Sequence, residues 1–110
     1  MIKRSTVRAI MTIPSWVIVL IGIVKYPNLN VTNLSKKIMV SYTTTFRLVS
    51  SFEEKQNWVE ITKPSYNTKD NKITLTDEGK RIYEETVNWL KTVGFNPNKK
   101  DFVKCLREAK

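Results

Sequence analysis

Histidine is absent from this chain of 110 residues, and cysteine occurs once, at Cys105. Without histidine, neither a Ser-His nor a Cys-His nucleophile pair can form. One cysteine cannot make an intrachain disulfide bond, and the two scarcities together leave too few ligands for a zinc site. We therefore expect a protein that is not an enzyme and that uses no metal or cofactor. The lone thiol fits a reducing, cytoplasmic compartment.

Glycine and proline are also scarce, with three and four residues respectively, so little of the chain is available for long loops. Hydrophobic residues make up 41% and charged residues 26%, which is the composition of a soluble globular protein. A chain of this length suits one domain. The composition predicts a single, ordered, helix-rich domain that covers residues 1–110.

Long apolar runs are missing as well. The most apolar stretch, WVIVLIGIV at residues 16–24, is shorter than the roughly 20 apolar residues that cross a bilayer. Basic residues precede it, as in a secretory signal, but no small-residue cleavage site follows it. We expect a helix from Pro14 to about Tyr26 that is buried, because it is apolar nearly all round. It lies at the centre of the core or in a dimer interface. A targeting segment is the remaining alternative, and no membrane partner is expected.

Acidic residues are outnumbered, 10 against 19 lysines and arginines, which gives a net charge of +9. Residues 1–75 hold 11 basic and 4 acidic residues, net +7, whereas residues 76–110 hold 8 and 6, net +2. This uneven charge favours a polyanionic partner, nucleic acid first and an anionic membrane surface second. A soluble protein that is merely rich in lysine is the alternative.

Capping residues and changes of hydrophobic period divide the rest of the chain into elements. Asn30 and Ser41 precede helical patterns as N-caps, Asn57 suits a left-handed helix stop, and Thr76 or Asp77 caps the next helix. Two alternating stretches flank the turn-forming sequence PSYNTKDN, which indicates a β-hairpin with a polar, basic tip. In chain order the predicted elements are helices 31–38 and 42–56, strands 58–63 and 72–76, and helices 77–93 and 98–108.

The predicted elements follow one another in the order helix, turn, helix, hairpin, helix, which describes a winged helix-turn-helix. Four short motifs lie along these elements. Residues 34–38 (LSKKI) resemble a Leu-Ala-x-x-Leu core, and residues 39–41 (MVS) a Gly-Val-Ser turn. Residues 52–59 (FEEKQNWV) resemble Leu-Glu-x-x-Gly-Leu-Val, and residues 75–79 (LTDEG) a Leu-Thr-x-x-Gly start of the helix after the wing. Over about residues 14–93 the chain thus resembles the MarR-type transcription regulators.

The chain departs from that pattern at two places. Met39 stands where the turn usually has glycine, and the end of the second helix carries one extra residue near Gln56. The resemblance implies a mainly α fold with a small β-hairpin (α+β), a winged helix-turn-helix with flanking terminal helices. Residues 1–13 are an arm or short helix, residues 14–93 the core and long helix, and residues 95–110 a C-terminal helix.

The resemblance also implies sequence-specific binding of double-stranded DNA, transcription regulation and a homodimer formed through terminal helices. The recognition helix would enter the major groove with its first turns, while the basic wing would meet the adjacent minor groove or the backbone. Threonines are poor helix formers, so their presence there favours contacts with base edges. The predicted base contacts are Ser41, Tyr42, Thr43, Thr44 and Arg47.

Neighbours of these residues have other predicted roles. Thr45 precedes two apolar residues at helical spacing and is expected to pack inward. For Phe46, contact with thymine, packing under the wing and half exposure all stay open. The predicted backbone and wing contacts are Lys36, Lys37, Lys63, Tyr66, Asn67, Lys69 and Lys72. A solvated helix face and a mobile hairpin loop are the respective alternatives.

A second class of function is consistent with the same fold, because winged helices also serve as protein–protein modules within larger assemblies. Such a module need not concentrate basic residues on its recognition helix and wing, so the uneven charge argues for DNA. Adjacent carboxylates at residues 53–54 and 84–85 point to different sides of a helix and are expected to be solvated partners of nearby lysines rather than a catalytic pair.

Overall fold

Five helices and one β-hairpin make up the described part of a computed structural model, which covers residues 13–62, 72–96 and 102–108. This confirms the predicted mainly α fold with a small hairpin. The elements are α1 (Ser15–Lys25), α2 (Val31–Ile38), α3 (Tyr42–Ser51), a π-helical turn (Phe52–Gln56), β1 (Val59–Thr62), β2 (Lys72–Leu75), α4 (Asp77–Thr92) and α5 (Phe102–Glu108).

Helix α1 forms the centre of the core. Every residue from Val17 to Ile23 is buried, and the helix contacts the four other helices and β2. Gly22 allows a close approach to α2, because a Cβ atom there would lie 2.5 Å from Cγ2 of Ile38. Of the two predicted places for this helix, the structure shows the core. Pro14, predicted as the first helical residue, instead has an extended ψ of 147° and occupies the N-cap position.

In the described residues, none of the helices has both the length and the apolar character needed to cross a membrane.

The predicted N-caps are confirmed by their hydrogen bonds. The side chains of Asn30 and Ser41 accept the backbone N–H groups three residues on, at 2.8 and 3.2 Å. Thr76, one of the two candidates for the third cap, accepts the N–H of Gly79 at 3.1 Å. A cap of this kind stabilises a helix by about 1 kcal/mol, so the sequence itself sets where α2, α3 and α4 begin.

The turn between α2 and α3 keeps its left-handed geometry without glycine. Met39 has φ 56° and ψ 42°, and its N–H bonds to the carbonyl of Ser35. This conformation costs a residue with a Cβ atom roughly 1–2 kcal/mol, which capping of α2 helps to offset. The side chain of Met39 remains 69% exposed. Replacing the glycine of the pattern by Met39 therefore preserves the bend between the two helices.

The extra residue at the end of the second helix is absorbed by a change of helix type. The chain widens into a π-helical turn over Phe52–Gln56 before Asn57 ends it with φ 57°. The N–H groups of Asn57 and Trp58 then both bond to the carbonyl of Phe52, that of Trp58 at 2.8 Å. A single inserted residue is the usual origin of such a turn. The predicted helical range 42–56 and the predicted left-handed stop are confirmed, and α3 before the insertion is regular.

The hairpin is antiparallel, with Val59 opposite Leu75 and Ile61 opposite Ile73. These four side chains lie on the inward face, where Val59 and Ile73 are buried. Trp58 was predicted as the first strand residue, but β1 begins one residue later. Trp58 instead packs on Phe52, with ring centroids 5.1 Å apart. The predicted basic tip, residues 63–71, lies outside the described residues.

Helix α4 is held against the base of the hairpin by a backbone contact that only glycine permits. A Cβ atom on Gly79 would lie 1.9 Å from the carbonyl oxygen of Trp58. The same oxygen accepts the N–H of Thr76 at 2.9 Å, and the Thr76 hydroxyl donates to the carbonyl of Asn57 at 2.6 Å. In the Leu-Thr-x-x-Gly motif, Thr76 thus caps α4, and Gly79 allows the helix to pack closely on the backbone of Trp58.

The outer helices bury most of their apolar positions. Val87 and Leu90 of α4 are buried, whereas Trp89, which lies between them in sequence, is 41% exposed. Residues 97–101, and with them the predicted start of the last helix at about residue 98, lie outside the described residues. In α5, Phe102 and Leu106 are buried, and the helix contacts α1.

Replacing Gly79 by alanine should destabilise the fold by about 3 kcal/mol, because the new methyl group would overlap a backbone oxygen that cannot rotate away. The measurement is the free energy of unfolding from urea denaturation. Lys80→Ala, at the next and exposed position, is the matched control and should change stability by less than about 0.5 kcal/mol. Equal stabilities for the two variants would show that α4 does not pack this closely on Trp58.

Candidate nucleic-acid interface

The first turn of α3 carries a pair of hydroxyls that bond to each other. The Ser41 hydroxyl accepts the N–H of Thr44 and also donates to Oγ1 of Thr44 at 2.9 Å. Ser41 is exposed and Thr44 is half-buried. Both side chains, predicted to contact bases, therefore also have a local role in starting the helix, and their remaining acceptor positions face the edge of α3.

The outward face of α3 is formed by side chains that make no contact needed for the core. Thr43 and Arg47 lie four residues apart, so they share one face, and both are exposed. Arg47 has no carboxylate partner among the residues that the structure describes. This face presents one hydroxyl, one methyl and five N–H donors, which are the groups that read base edges or bind phosphates.

Two aromatic side chains flank that face. Tyr42 and Phe46 stack with ring centroids 5.9 Å apart and an interplanar angle of 25°. Each is 51% exposed. Among the three possibilities left open for Phe46, the structure shows half exposure. It lies at the edge of a groove that Ile61 and Ile73 of the hairpin also line.

Thr45 points the opposite way from its neighbours, as predicted. Its side chain is fully buried, and its Oγ1 has no hydrogen-bonding partner among the described residues. Burying a hydroxyl without a partner costs about 1–3 kcal/mol. The run of three threonines thus serves different ends: Thr45 fills the core, while Thr43 and Thr44 lie at the surface or edge.

Lys36 and Lys37 are both exposed on α2, the helix that precedes the turn. The Nζ of Lys37 lies 5.8 Å from the centroid of the Tyr26 ring, a cation–π contact with the C-cap residue of α1. Lys36 has no carboxylate partner within the described ranges. Lys72, the first residue of β2, is exposed opposite Thr62. The other predicted wing contacts, Lys63, Tyr66, Asn67 and Lys69, lie outside the described residues.

Three acidic residues lie near this surface, and two of them, Glu53 and Glu54, also line the groove beside Tyr42 and Phe46. Glu53 and Glu54 follow the C-terminal end of α3, in the π turn, and Glu60 is exposed on β1. Helix α3 itself carries no carboxylate, and the first acidic residue after it is Glu53 in the π turn. An anionic partner is therefore repelled less at the N-terminal turns of α3 than at its C-terminal end.

On α4 the charged groups neutralise one another instead. The Arg81 guanidinium bonds to Glu78 and, at 2.8 Å, to Glu85. The hydrogen bond from Arg81 keeps the pKa of the Glu78 carboxyl below its ordinary value, and the pKa of Arg81 is raised in return. All three groups are solvent-exposed, so salt screens these pairs. The described residues contain no cluster of carboxylate and thiol groups that could hold a metal ion.

The three tryptophans of the chain converge on one groove that the sequence did not indicate. Trp16, Trp58 and Trp89 line a groove of about 440 Å³ between α1 and α4, with Glu85 among its lining residues. The rings of Trp16 and Trp58 are 5.9 Å apart. No local motif signals this groove, because the three residues are far apart in sequence and are brought together only by packing of α4 across α1.

The turn from α2 into α3, followed by the hairpin and α4, defines the fold as a winged helix-turn-helix. Among solved structures, the chain is similar to "The crystal structure of the transcriptional regulator SlyA", a MarR-family winged-helix protein, with a TM-score of 0.63 and 20% sequence identity. The match covers 83% of this chain and 66% of the SlyA chain. At this identity the likeness is one of fold, and it confirms the predicted winged helix-turn-helix fold.

No protein-family model matches the sequence, and no curated protein matches it.

Replacing Thr45 by valine should stabilise the protein by about 1 kcal/mol, because valine keeps the shape of threonine and removes the unpaired buried hydroxyl. Valine and threonine have similar helix propensities, so the change reports on burial. Thr43→Val, at an exposed position of the same helix, is the control and should change the free energy of unfolding by less than about 0.5 kcal/mol. Loss of stability in Thr45→Val alone would mean that the hydroxyl has a partner.

Proposed function

We propose that this protein binds double-stranded DNA sequence-specifically and regulates transcription. The N-terminal turns of α3 enter the major groove, and the hairpin lies beside them on the adjacent minor groove or the backbone. The observation that carries the proposal is the outward face of α3: Thr43 and Arg47 are exposed, have no role in the core, and lie on a helix that carries no carboxylate. The winged-helix fold supports it, because this fold presents that helix to DNA.

The electrostatic support comes from two sets of residues. Lys36, Lys37, Arg47 and Lys72 lie exposed on the described surface around the helix-turn-helix and the base of the hairpin. Further cations belong to residues 1–12 and 63–71, which hold five lysines and arginines against one aspartate. Phosphate contacts from such groups supply affinity that depends on salt and is blind to sequence, whereas α3 supplies the choice of sequence.

A homodimer is part of the proposal, with an operator that is pseudo-palindromic and has half-sites about one helical turn apart. Helix α1, one of the predicted dimer elements, is buried by its own chain and has little surface for a partner. Phe102 and Leu106 of α5 are likewise buried by their own chain, so the exposed side of α4 around Trp89 is the described surface that we propose for the dimer.

The second candidate is a protein–protein module within a larger assembly. The exposed aromatic pair Tyr42 and Phe46 favours it, since such side chains are common at protein interfaces. It differs from the DNA proposal in one measurable property, because binding to a protein does not require affinity for duplex DNA of random sequence.

The proposal is tested by titrating the protein onto random-sequence duplex DNA at two salt concentrations. We expect affinity to fall steeply with salt. In Lys36→Ala, loss of one phosphate contact should lower the slope of log affinity against log salt by about 0.9. Lys91→Ala, an exposed lysine at the far end of α4, is the control and should leave the slope unchanged. Absence of binding at low salt, or equal effects of the two substitutions, would contradict the proposal.

Arg47 should act on sequence choice rather than on overall affinity. After selection of a preferred operator, Arg47→Lys keeps the charge but loses the planar guanidinium that can pair with guanine through two hydrogen bonds. We expect its discrimination between the operator and random DNA to fall by about 1–3 kcal/mol, with little change in salt slope. Arg81→Lys, on α4, should leave discrimination intact. If both variants discriminate like the parent protein, Arg47 does not contact bases.

A further inference from the structure

Large apolar side chains are exposed mainly at one place on this molecule. Four such residues are exposed in the part of the chain that the structure describes, and three of them, Met39, Tyr42 and Phe46, lie in the turn and first half of α3. The fourth, Trp89, lies at the groove between α1 and α4. We name Met39, Tyr42 and Phe46 the apolar strip.

The strip lies along the edge of the surface already assigned to DNA. Tyr42 and Phe46 are one helical turn apart, so they lie on the same side of α3, next to the face of Thr43 and Arg47. Their stacked rings restrain each other, which keeps Phe46 from folding back onto the protein. Ile61 and Ile73 of the hairpin line the neighbouring groove, yet half of the Phe46 side chain remains in contact with water.

An exposed phenyl ring gains free energy mainly by leaving water for an apolar partner. In the major groove the phosphates, sugars and most base-edge groups are polar, whereas thymine presents its C5-methyl group there. Phe46 has no hydrogen-bonding group and therefore cannot read the donors and acceptors that Arg47 and Thr43 can read. On one helix, Arg47 and Thr43 would thus recognise hydrogen-bonding groups of the bases, and Phe46 would recognise a methyl group.

We propose that Phe46, supported by its stack on Tyr42, is a specificity-determining residue that reads the C5-methyl group of a pyrimidine in the operator. This inference rests on the proposed DNA binding. It adds that the operator must carry a pyrimidine C5-methyl group where the DNA faces Phe46. In unmodified DNA the group belongs to thymine. A 5-methylcytosine carries the same methyl group at the same place in the groove, so it should be read in the same way.

The test uses the operator selected from random duplexes. Each thymine in it is replaced in turn by deoxyuridine, which removes only the C5-methyl group. At the thymine that faces Phe46, affinity of the parent protein should fall about fourfold, as expected for removing one methyl-sized apolar group from a buried contact. Phe46→Ala should bind the thymine and deoxyuridine duplexes equally. In a further arm, replacing that thymine by cytosine should weaken binding, and 5-methylcytosine should recover part of it.

The controls separate this inference from folding and from the proposed function. Phe46 is half-exposed, so Phe46→Ala should keep the circular dichroism spectrum and the salt slope of the parent protein. Lys80→Ala, an exposed substitution at the start of α4 and away from Trp89, should retain the preference for thymine. If the parent protein binds DNA with the expected salt dependence but treats thymine and deoxyuridine alike, this inference is overturned and the proposed function stands. If it binds no DNA, both fall and the apolar strip becomes a surface for a protein partner.

Discussion

The backbone junction at Trp58 is the constraint on which the relative placement of the elements depends. Its carbonyl oxygen accepts the N–H of Thr76, and the missing side chain of Gly79 lets the first turn of α4 approach that oxygen. The Thr76 hydroxyl bonds to the carbonyl of Asn57 at the same time. These bonds join Asn57 and Trp58, which follow the π turn, to Thr76, which precedes α4. Strand β1 begins directly after Trp58, and β2 ends directly before Thr76. The junction therefore fixes the position of the hairpin beside α3.

The π turn makes that junction compatible with the inserted residue. Without the wider turn, one additional residue would rotate Trp58 and the following strand relative to α3 by about 100°. With it, Asn57 reverses the chain, and Trp58 packs on Phe52 while its carbonyl faces α4. The insertion therefore changes the end of α3 and leaves its first turns, where the candidate site lies, in regular helical geometry.

Local rules sufficed to predict much of the fold. The side chains of Asn30, Ser41 and Thr76 each choose a helix start by a hydrogen bond to a residue three positions on, so the sequence contains both partners. The inward packing of Thr45 followed from helical spacing in the same way. Trp58 could not be assigned locally, because alternation places it in the strand, whereas its position depends on rings from Phe52 and Trp16.

Features formed by residues that are far apart in the chain could not be predicted from the sequence. Trp89 has the spacing of a buried residue but lies at an open groove, since no described element covers it there. Part of the candidate site could likewise be predicted from the sequence, and part could not. Exposure of Thr43 and Arg47 follows from the helical pattern, while the stack of Tyr42 on Phe46 depends on side-chain torsions that spacing does not determine. The candidate site thus combines Thr43 and Arg47, whose exposure helical spacing predicts, with an aromatic stack whose geometry only the structure gives.

We propose that the first turns of α3 contact DNA, and amide chemical shifts measured by NMR during addition of a duplex test this placement. We expect the largest shift changes on residues 41–47, with smaller ones at Lys36 and Lys37 and almost none along the outer face of α4. Changes confined to the groove between α1 and α4, or no changes at low salt, would contradict it.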